Sequence, residues 1–265
     1  MIADLFVTTK NRPDLLRRSL QSLQDCTDKK QYRLTIVHDA HHNATSEVIQ
    51  EFQHLWDHLL SHAENQGLGP SINQALAFIN TLKQWDARPG EGQFPFPYAS
   101  VPGITANLPV DAPPLTVYVQ DDVLYSNGWL EKLSSKYLQL LHPLKLGFAS
   151  GIECIEHPAK KDLGNGMVLK DWIRATCMMA THSYWMSMWP IPKIDPETGR
   201  ERGRPHDGMG SSVDWWFIRN HSNSVCKTGR TNLVMPGLLQ HIGYKDSTWL
   251  KRELPESDSD KAIMG

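Results

Sequence analysis

Two adjacent carboxylates, Asp121 and Asp122, follow directly on the run Val117-Tyr118-Val119-Gln120. That run has the β-branched and aromatic content of a short buried strand, so the pair falls where the strand should end. Open α/β sheets bind ligands at the carboxyl ends of their strands. Like charges side by side repel, and the pair is best explained by something positive beside it. A hard divalent cation, Mg²⁺ or Mn²⁺, held by one or two carboxylates and a substrate's phosphates, meets that need. The plainer alternative is a solvated Asp-Asp turn, and the pair alone does not choose between them.

Four further features could share a site with the pair. Thr8-Thr9-Lys10-Asn11-Arg12-Pro13 closes a first apolar run. Asp39 closes a second one. Asn65-Gln66-Gly67-Leu68-Gly69, with Asn73 beyond it, leads into an amphipathic segment. Asp214 comes late, and His241 follows it.

The elements that must position these residues alternate in type. Residues 4–9 form a first strand. Asn11 to Asp14 turn into a helix with an apolar stripe at Leu15, Leu16, Ser19, Leu20 and Leu23, and Arg17 and Arg18 lie off that face. Leu34 to Val37 form a second strand ending at His38-Asp39. The spacing predicts a second helix over 45–60, with Val48, Ile49, Phe52, Leu55, Trp56 and Leu59 inside, and a third over 70–84 with Pro70 in its first turn. After the strand at 115–120, Gly128-Trp129-Leu130 starts a helix to about Leu141, and Leu146–Ile152 is a strand. A helix is expected over Val213–His221. The alternation argues for a mostly parallel sheet with helices on both faces. The Met- and aromatic-rich residues 172–189 are expected to be core.

Residues 86–114 break the pattern with seven prolines and three glycines, and they read as an insertion before the central strand. Residues 1–245 are expected to be a single domain around it, and 246–265 a polar tail.

The net charge of -2 gives no global basic field to attract nucleic acid, although it does not exclude a local patch. Cys26, Cys154, Cys177 and Cys226 contain no CxxC pair, so a zinc knuckle is not suggested, and reduced thiols in a cytoplasm are expected. No apolar run approaches the roughly 20 residues of a membrane span, and the N-terminus lacks the features of a signal peptide.

The ordered motifs resemble those of the GT-A glycosyltransferases, specifically the family 2-like group. That family has a strand ending in a Thr/Asn-Arg-Pro turn, a strand ending in Asp, and an Asn-x-Gly-x-Gly-x-x-x-Asn segment. An Asp-x-Asp strand end, a Gly-Trp-Leu helix, a late acidic helix and often a His beyond complete it. The resemblance runs from residue 5 to about residue 243. It implies a Rossmann-like GT-A fold and transfer of a sugar from a nucleotide-diphosphate donor, most simply a UDP-sugar, to an acceptor hydroxyl. It implies that Asp122 and His241 reach Mn²⁺ or Mg²⁺. Thr8, Thr9, Asn11, Arg12, Asp39, Asn65, Gly67, Gly69, Gln120 and Asp121 would surround the donor. Asp214 would be the base of an inverting reaction.

The chain departs from the family at three points. Gln120 replaces the first acid of Asp-x-Asp, His38 stands where a second acid often precedes Asp39, and Val213-Asp214 carries one acid instead of two. These departures bear on metal affinity more than on fold. A retaining transferase of the same fold is the alternative enzyme. A nucleotide-sugar-binding protein without catalysis is the alternative from another class. The acceptor is open: glycan, protein, small molecule or modified nucleic-acid base.

Two histidine groups offer a competing metal-dependent hydrolase. His38, His41 and His42 cluster at a strand end, where a polar loop is the simpler reading. His54, His58 and His62 would share one face of the helix predicted over 45–60, beside Gln53 and Asp57, and are expected to face solvent. Trp215 and Trp216 are core anchors or a stacking surface for a sugar. Lys193, Arg200, Arg202, Arg204 and His206 form a solvated loop, or a lid for diphosphate or a phosphorylated acceptor.

Overall fold

The computed structural model describes residues 1–86, 115–153, 159–171, 173, 175–192 and 230–242. Its frame is β1 (Ala3–Thr9), buried along its whole length. In parallel beside it lie β2 (Tyr32–Asp39) and β4 (Leu115–Gln120), the strand that carries the Asp pair. Val, Ile, Leu and aromatic residues fill these strands because strands covered on both faces have no solvated side to leave polar. β3 (His58–His62) extends the sheet beyond β2. On the other side β9 (Cys177–Thr181) runs antiparallel to β4, followed by β6 (Leu146–Ser150) and β10 (Thr231–Val234), which are parallel to each other. The hairpin β7 (Ala159–Gly164) and β8 (Met167–Lys170) closes that edge. The order among the described residues is β3-β2-β1-β4-β9-β6-β10-β8-β7. A separate pair, β5 (Val123–Tyr125) and β11 (Leu239–His241), lies at the carboxyl ends of the strands.

Successive strand residues face opposite sides of a sheet. Phe6 stacks on Tyr118 and meets Trp185 of α5 (His182–Ser187), and Asp4 on the same side pairs with Lys83 of α3 (Leu68–Asp86). Leu5 and Val7 are equally buried on the other side. α1 (Pro13–Cys26) buries Leu15, Leu16, Ser19, Leu20 and Leu23 and leaves Arg17 and Arg18 exposed, as its spacing requires. Pro13 starts it, where the missing N–H costs nothing. α4 (Trp129–Leu141) buries Trp129, Leu130, Leu133 and Tyr137. Met178, Met179, Tyr184 and Trp185 are core, as expected of that Met-rich stretch, whereas Trp189 is exposed. No helix among the described residues is long and apolar enough to cross a membrane.

The second helix is shorter than its apolar spacing suggests. α2 (Asn43–Glu51) stops at Glu51, and 58–62 form β3. Asp57 makes the change of direction: its N–H donates to Leu34 O at 2.9 Å, and its Oδ2 accepts from Leu34 N at 2.7 Å. This docks the chain against β2, where Leu59 and Leu60 pair with Ile36 and Val37. The stripe of His54, His58 and His62 is therefore not one helix face, and His58 is buried edge-on against Phe78 instead of facing solvent. Residues 87–114, Asp214, Trp215, Trp216, Lys193, Arg200, Arg202, Arg204, His206 and the tail from 246 lie outside the described residues.

Candidate functional site

The ends of β1, β2 and β4 lie side by side, because Thr9 is in register with His38 and Thr8 with Gln120. Asp121 and Asp122 are both buried there. Thr9 Oγ1 donates to Asp121 Oδ2 at 2.7 Å. Arg12 spans the pair, with Nη2 on Asp121 Oδ1 and Nη1 2.7 Å from Asp122 Oδ2. The positive partner that two adjacent carboxylates demand is thus supplied by the chain. Asn11, at φ +50°, turns the backbone out of β1 and brings Arg12 over the pair. Asn tolerates that left-handed conformation better than most residues.

His241 approaches from β11, with Nε2 3.2 Å from the same Asp122 Oδ2. Its position is fixed by the pairing of His241 with Val123 and by Ile242 N–H donating to Asp122 O at 2.8 Å. Gly151 lets β11 come this close. Leu239 N–H donates to Gly151 O at 3.1 Å, and a Cβ on Gly151 would stand 2.9 Å from Leu239 Cγ.

Burial opposes ionisation of Asp122, but the hydrogen bond and charge of His241 and the charge of Arg12 outweigh it and hold the carboxyl below its ordinary range. Burial dominates at Asp121 and raises its pKa, against the pull of Arg12. Burial would lower the Arg12 pKa, yet Asp121 and Asp122 together raise it. Asp122 Oδ1 is buried and has no hydrogen-bond partner among the described residues. An orphaned carboxylate oxygen in such a place is costly and calls for an explanation.

Asp39 is buried at the end of β2 and is occupied by its own chain. Oδ1 accepts from Gln66 N at 2.7 Å, Oδ2 from Gly67 N at 2.8 Å, and His62 Nδ1 lies 3.0 Å from Oδ1. Gly67 sits at φ +91°, a conformation that side chains rarely adopt. Asn65 Oδ1 accepts from the same Gly67 N–H at 3.1 Å. Asp39 therefore fastens the Asn65–Gly69 loop, and Gly69 falls in the first turn of α3. Asn73 clamps another segment, accepting from Ile191 N at 2.8 Å and donating to Ile191 O at 2.7 Å.

Thr8 and Thr9 part company across the sheet. Thr9 reaches Asp121, whereas Thr8 Oγ1 lies 3.2 Å from Tyr118 OH on the opposite face. Gln120 is half-buried at the end of β4. The structure thus joins Thr9, Arg12, Asp121, Asp122 and His241 in one cluster and Asp39, Asn65 and Gly67 in a neighbouring one. The sequence spacing puts His62 on a solvent-facing helix stripe, whereas the pairing of Asp39 with His62 across β2 and β3 brings it to the second cluster. The alternation around Leu60 in His58–His62 was the available signal.

Residues 4–81 match the model of Glycosyl transferase family 2. Across the whole chain the similarity is structural. S. aureus TarS 1-349 superposes with a TM-score of 0.54 at 11% identity, over 99% of this chain and 69% of that one. The fold is GT-A. The longer S. aureus TarS structure gives 0.52 at 12% identity, over 99% of this chain and 42% of that one. The chain therefore spans about two thirds of one TarS structure and less than half of the other. Mannosyltransferase PcManGT from Pyrobaculum calidifontis, in complex with GDP-Man and Mn²⁺, gives 0.47 at 12% identity over 77% of this chain and 55% of that one. No curated protein matches the chain in sequence.

The residues present can be tested for a fit to a divalent cation. Among the described residues no three His, Cys, Asp or Glu side chains converge on one point. A GT-A metal needs fewer, since Mg²⁺ and Mn²⁺ are commonly held by one or two carboxylates and substrate phosphates. Asp122, with one buried oxygen unpartnered and His241 on the other, fits that requirement.

Proposed function

We propose that this chain is a metal-dependent, inverting nucleotide-sugar glycosyltransferase. The observation that carries the reading is Asp122, buried at a central strand end of a GT-A sheet, with no hydrogen-bond partner on Oδ1 among the described residues and His241 3.2 Å from Oδ2. Asp122 and His241 would hold Mn²⁺ or Mg²⁺, which neutralises charge on a departing diphosphate. Thr9, Asn11, Arg12, Gln120 and Asp121 would line the donor diphosphate and ribose, with Thr8 supporting from the opposite face. Asp39, through the Asn65–Gly69 loop it fastens, would shape the nucleoside pocket. The donor is a UDP-sugar in the simplest case.

Asp214 would accept the proton of the acceptor hydroxyl as that oxygen attacks the anomeric carbon. The carbon–phosphate-oxygen bond breaks, and its electron pair leaves with the nucleoside diphosphate. Residues 1–245 act in this reading as one transferase domain, with 86–114 shaping acceptor use and 246–265 outside it. A cytoplasmic location accords with the unpaired Cys26 and Cys177. The acceptor is a hydroxyl of a glycan, protein, small molecule or modified nucleic-acid base. A nucleotide-sugar-binding protein without turnover is the second reading, favoured by Arg12 lying across the Asp pair.

The test is turnover of a panel of nucleotide-sugars with Mn²⁺, read by release of nucleoside diphosphate and by NMR of the product linkage. Transfer with inversion, falling about 10²-fold or more in Asp214→Asn while donor binding persists, is the expected result. Retention of configuration, or a near-normal Asp214→Asn, removes Asp214 from the role. Binding without release of diphosphate favours the second reading.

A further inference from the structure

We propose that Arg12 is a displaceable counter-ion of Asp121 and Asp122, so that its guanidinium and a divalent cation compete for the same carboxylates. The inference rests on the metal-dependent reading above and adds to it a device that sets metal affinity.

Arg12 does not form a fork on one carboxylate. It places one nitrogen on each, Nη2 on Asp121 Oδ1 and Nη1 on Asp122 Oδ2, and so occupies the space between them. Asp122 Oδ2 is already shared, since His241 Nε2 lies 3.2 Å away. A cation entering between Asp122 and His241 meets a guanidinium on the same oxygen. Repulsion between two positive ions in a buried site is strong. The pair holds two negative charges at most, and Arg12 already neutralises one.

Arg12 also has a way out. Its side chain is 36% exposed while both aspartates are buried. It stands on a turn at the start of α1, where its side chain makes no capping hydrogen bond that leaving would break. A planar guanidinium released at the carboxyl edge is well shaped to take phosphate oxygens. The diphosphate then gives Arg12 a new partner in exchange for the carboxylates. Metal and nucleoside diphosphate should therefore bind with positive coupling, and coupling of this kind is reciprocal.

The experiment is an EPR titration of free Mn²⁺ against wild type, Arg12→Gln and Arg12→Lys, each with and without UDP, with thermal melts to check folding. Arg12→Gln is expected to bind Mn²⁺ alone about tenfold tighter than wild type, with the enhancement by UDP reduced. Arg12→Lys, a point charge that cannot span both carboxylates, should fall between them. A folded Arg12→Gln that binds Mn²⁺ no tighter than wild type overturns the proposal. If Arg12→Gln does not fold, Arg12→Lys decides in the same way: tighter than wild type supports it, equal or weaker overturns it. Mn²⁺ binding to wild type with UDP but no gain in either variant removes Arg12 and leaves the functional reading standing. No Mn²⁺ binding to any of the three proteins, with or without UDP, overturns both.

Discussion

Asp4 and Asp122 are both buried aspartates held by an arginine, at opposite ends of the same sheet, and they are finished differently. At the amino end Asp4 has a cation on each oxygen: Arg33 Nε donates to Oδ1 at 2.6 Å, and Lys83 Nζ stands 2.8 Å from Oδ2 as an ion pair without the geometry of a hydrogen bond. At the carboxyl end Arg12 and His241 crowd onto Asp122 Oδ2, and Oδ1 has no hydrogen-bond partner among the described residues. A closed network ties strands and helix together, whereas an open one keeps a costly group ready for something that comes from outside. Burial and charge are common to the two aspartates; what differs is the distribution of partners over their oxygens, and the proposed metal role of Asp122 rests on that difference.

The largest expected effect tests the closed end. Asp4→Ala removes the buried carboxylate that Arg33 and Lys83 share and should cost about 3–5 kcal/mol, read as a lower urea midpoint with an unchanged m-value. A cost below about 1 kcal/mol would show that solvent reaches this cluster and that the contrast with Asp122 is unfounded.

Acid should attack the same end next. Burial, with smaller contributions from Arg33 and Lys29, lowers His58 to about 4, and burial with help from Lys83 lowers His182 to about 4. Both are neutral in the fold, while the unfolded chain takes up protons below about 6.5. Their contribution to stability is complete above pH 6.5 and is lost as pH falls towards 4. For His58 alone the loss approaches about 3 kcal/mol at pH 4. Denaturation midpoints measured from pH 7 to pH 4 should fall, and more shallowly in His58→Asn; parallel profiles for the two proteins would contradict this.

A smaller change sharpens the open end. Gly151→Ala puts a Cβ against Leu239 and should cost about 1–3 kcal/mol. It should also weaken Mn²⁺ binding, because β11 carries His241. Lost stability with unchanged Mn²⁺ affinity would detach His241 from the metal.

Much of this frame was legible in the sequence. The first two strands, α1, α3, β4 and α4 follow from apolar periodicity, Pro13 and the Gly-Trp-Leu turn, because each is defined by neighbours in the chain. β3 was hidden, since Leu55, Trp56 and Leu59 continue a helical spacing and only the docking of Asp57 on Leu34 ends it. At the site, the type and order of the residues were visible, but the partners were not. Repulsion between Asp121 and Asp122 called for a positive neighbour, and a metal was the natural candidate. The resemblance groups Arg12 with the donor, but its contact with Asp121, 109 residues away in sequence, is invisible because no local pattern records a contact across two strand ends. The same gap hides the partners of Asp39, whose carboxylate is held by Gln66, Gly67 and His62.

The most direct measurement is calorimetric titration of UDP into wild type and Asp122→Ala, each with Mn²⁺ and with EDTA, beside their thermal melts. Wild type should bind UDP more tightly with Mn²⁺, and Asp122→Ala should lose that metal dependence while staying folded. Undiminished Mn²⁺-dependent UDP binding in a folded Asp122→Ala would contradict the assignment of the open carboxylate to the metal.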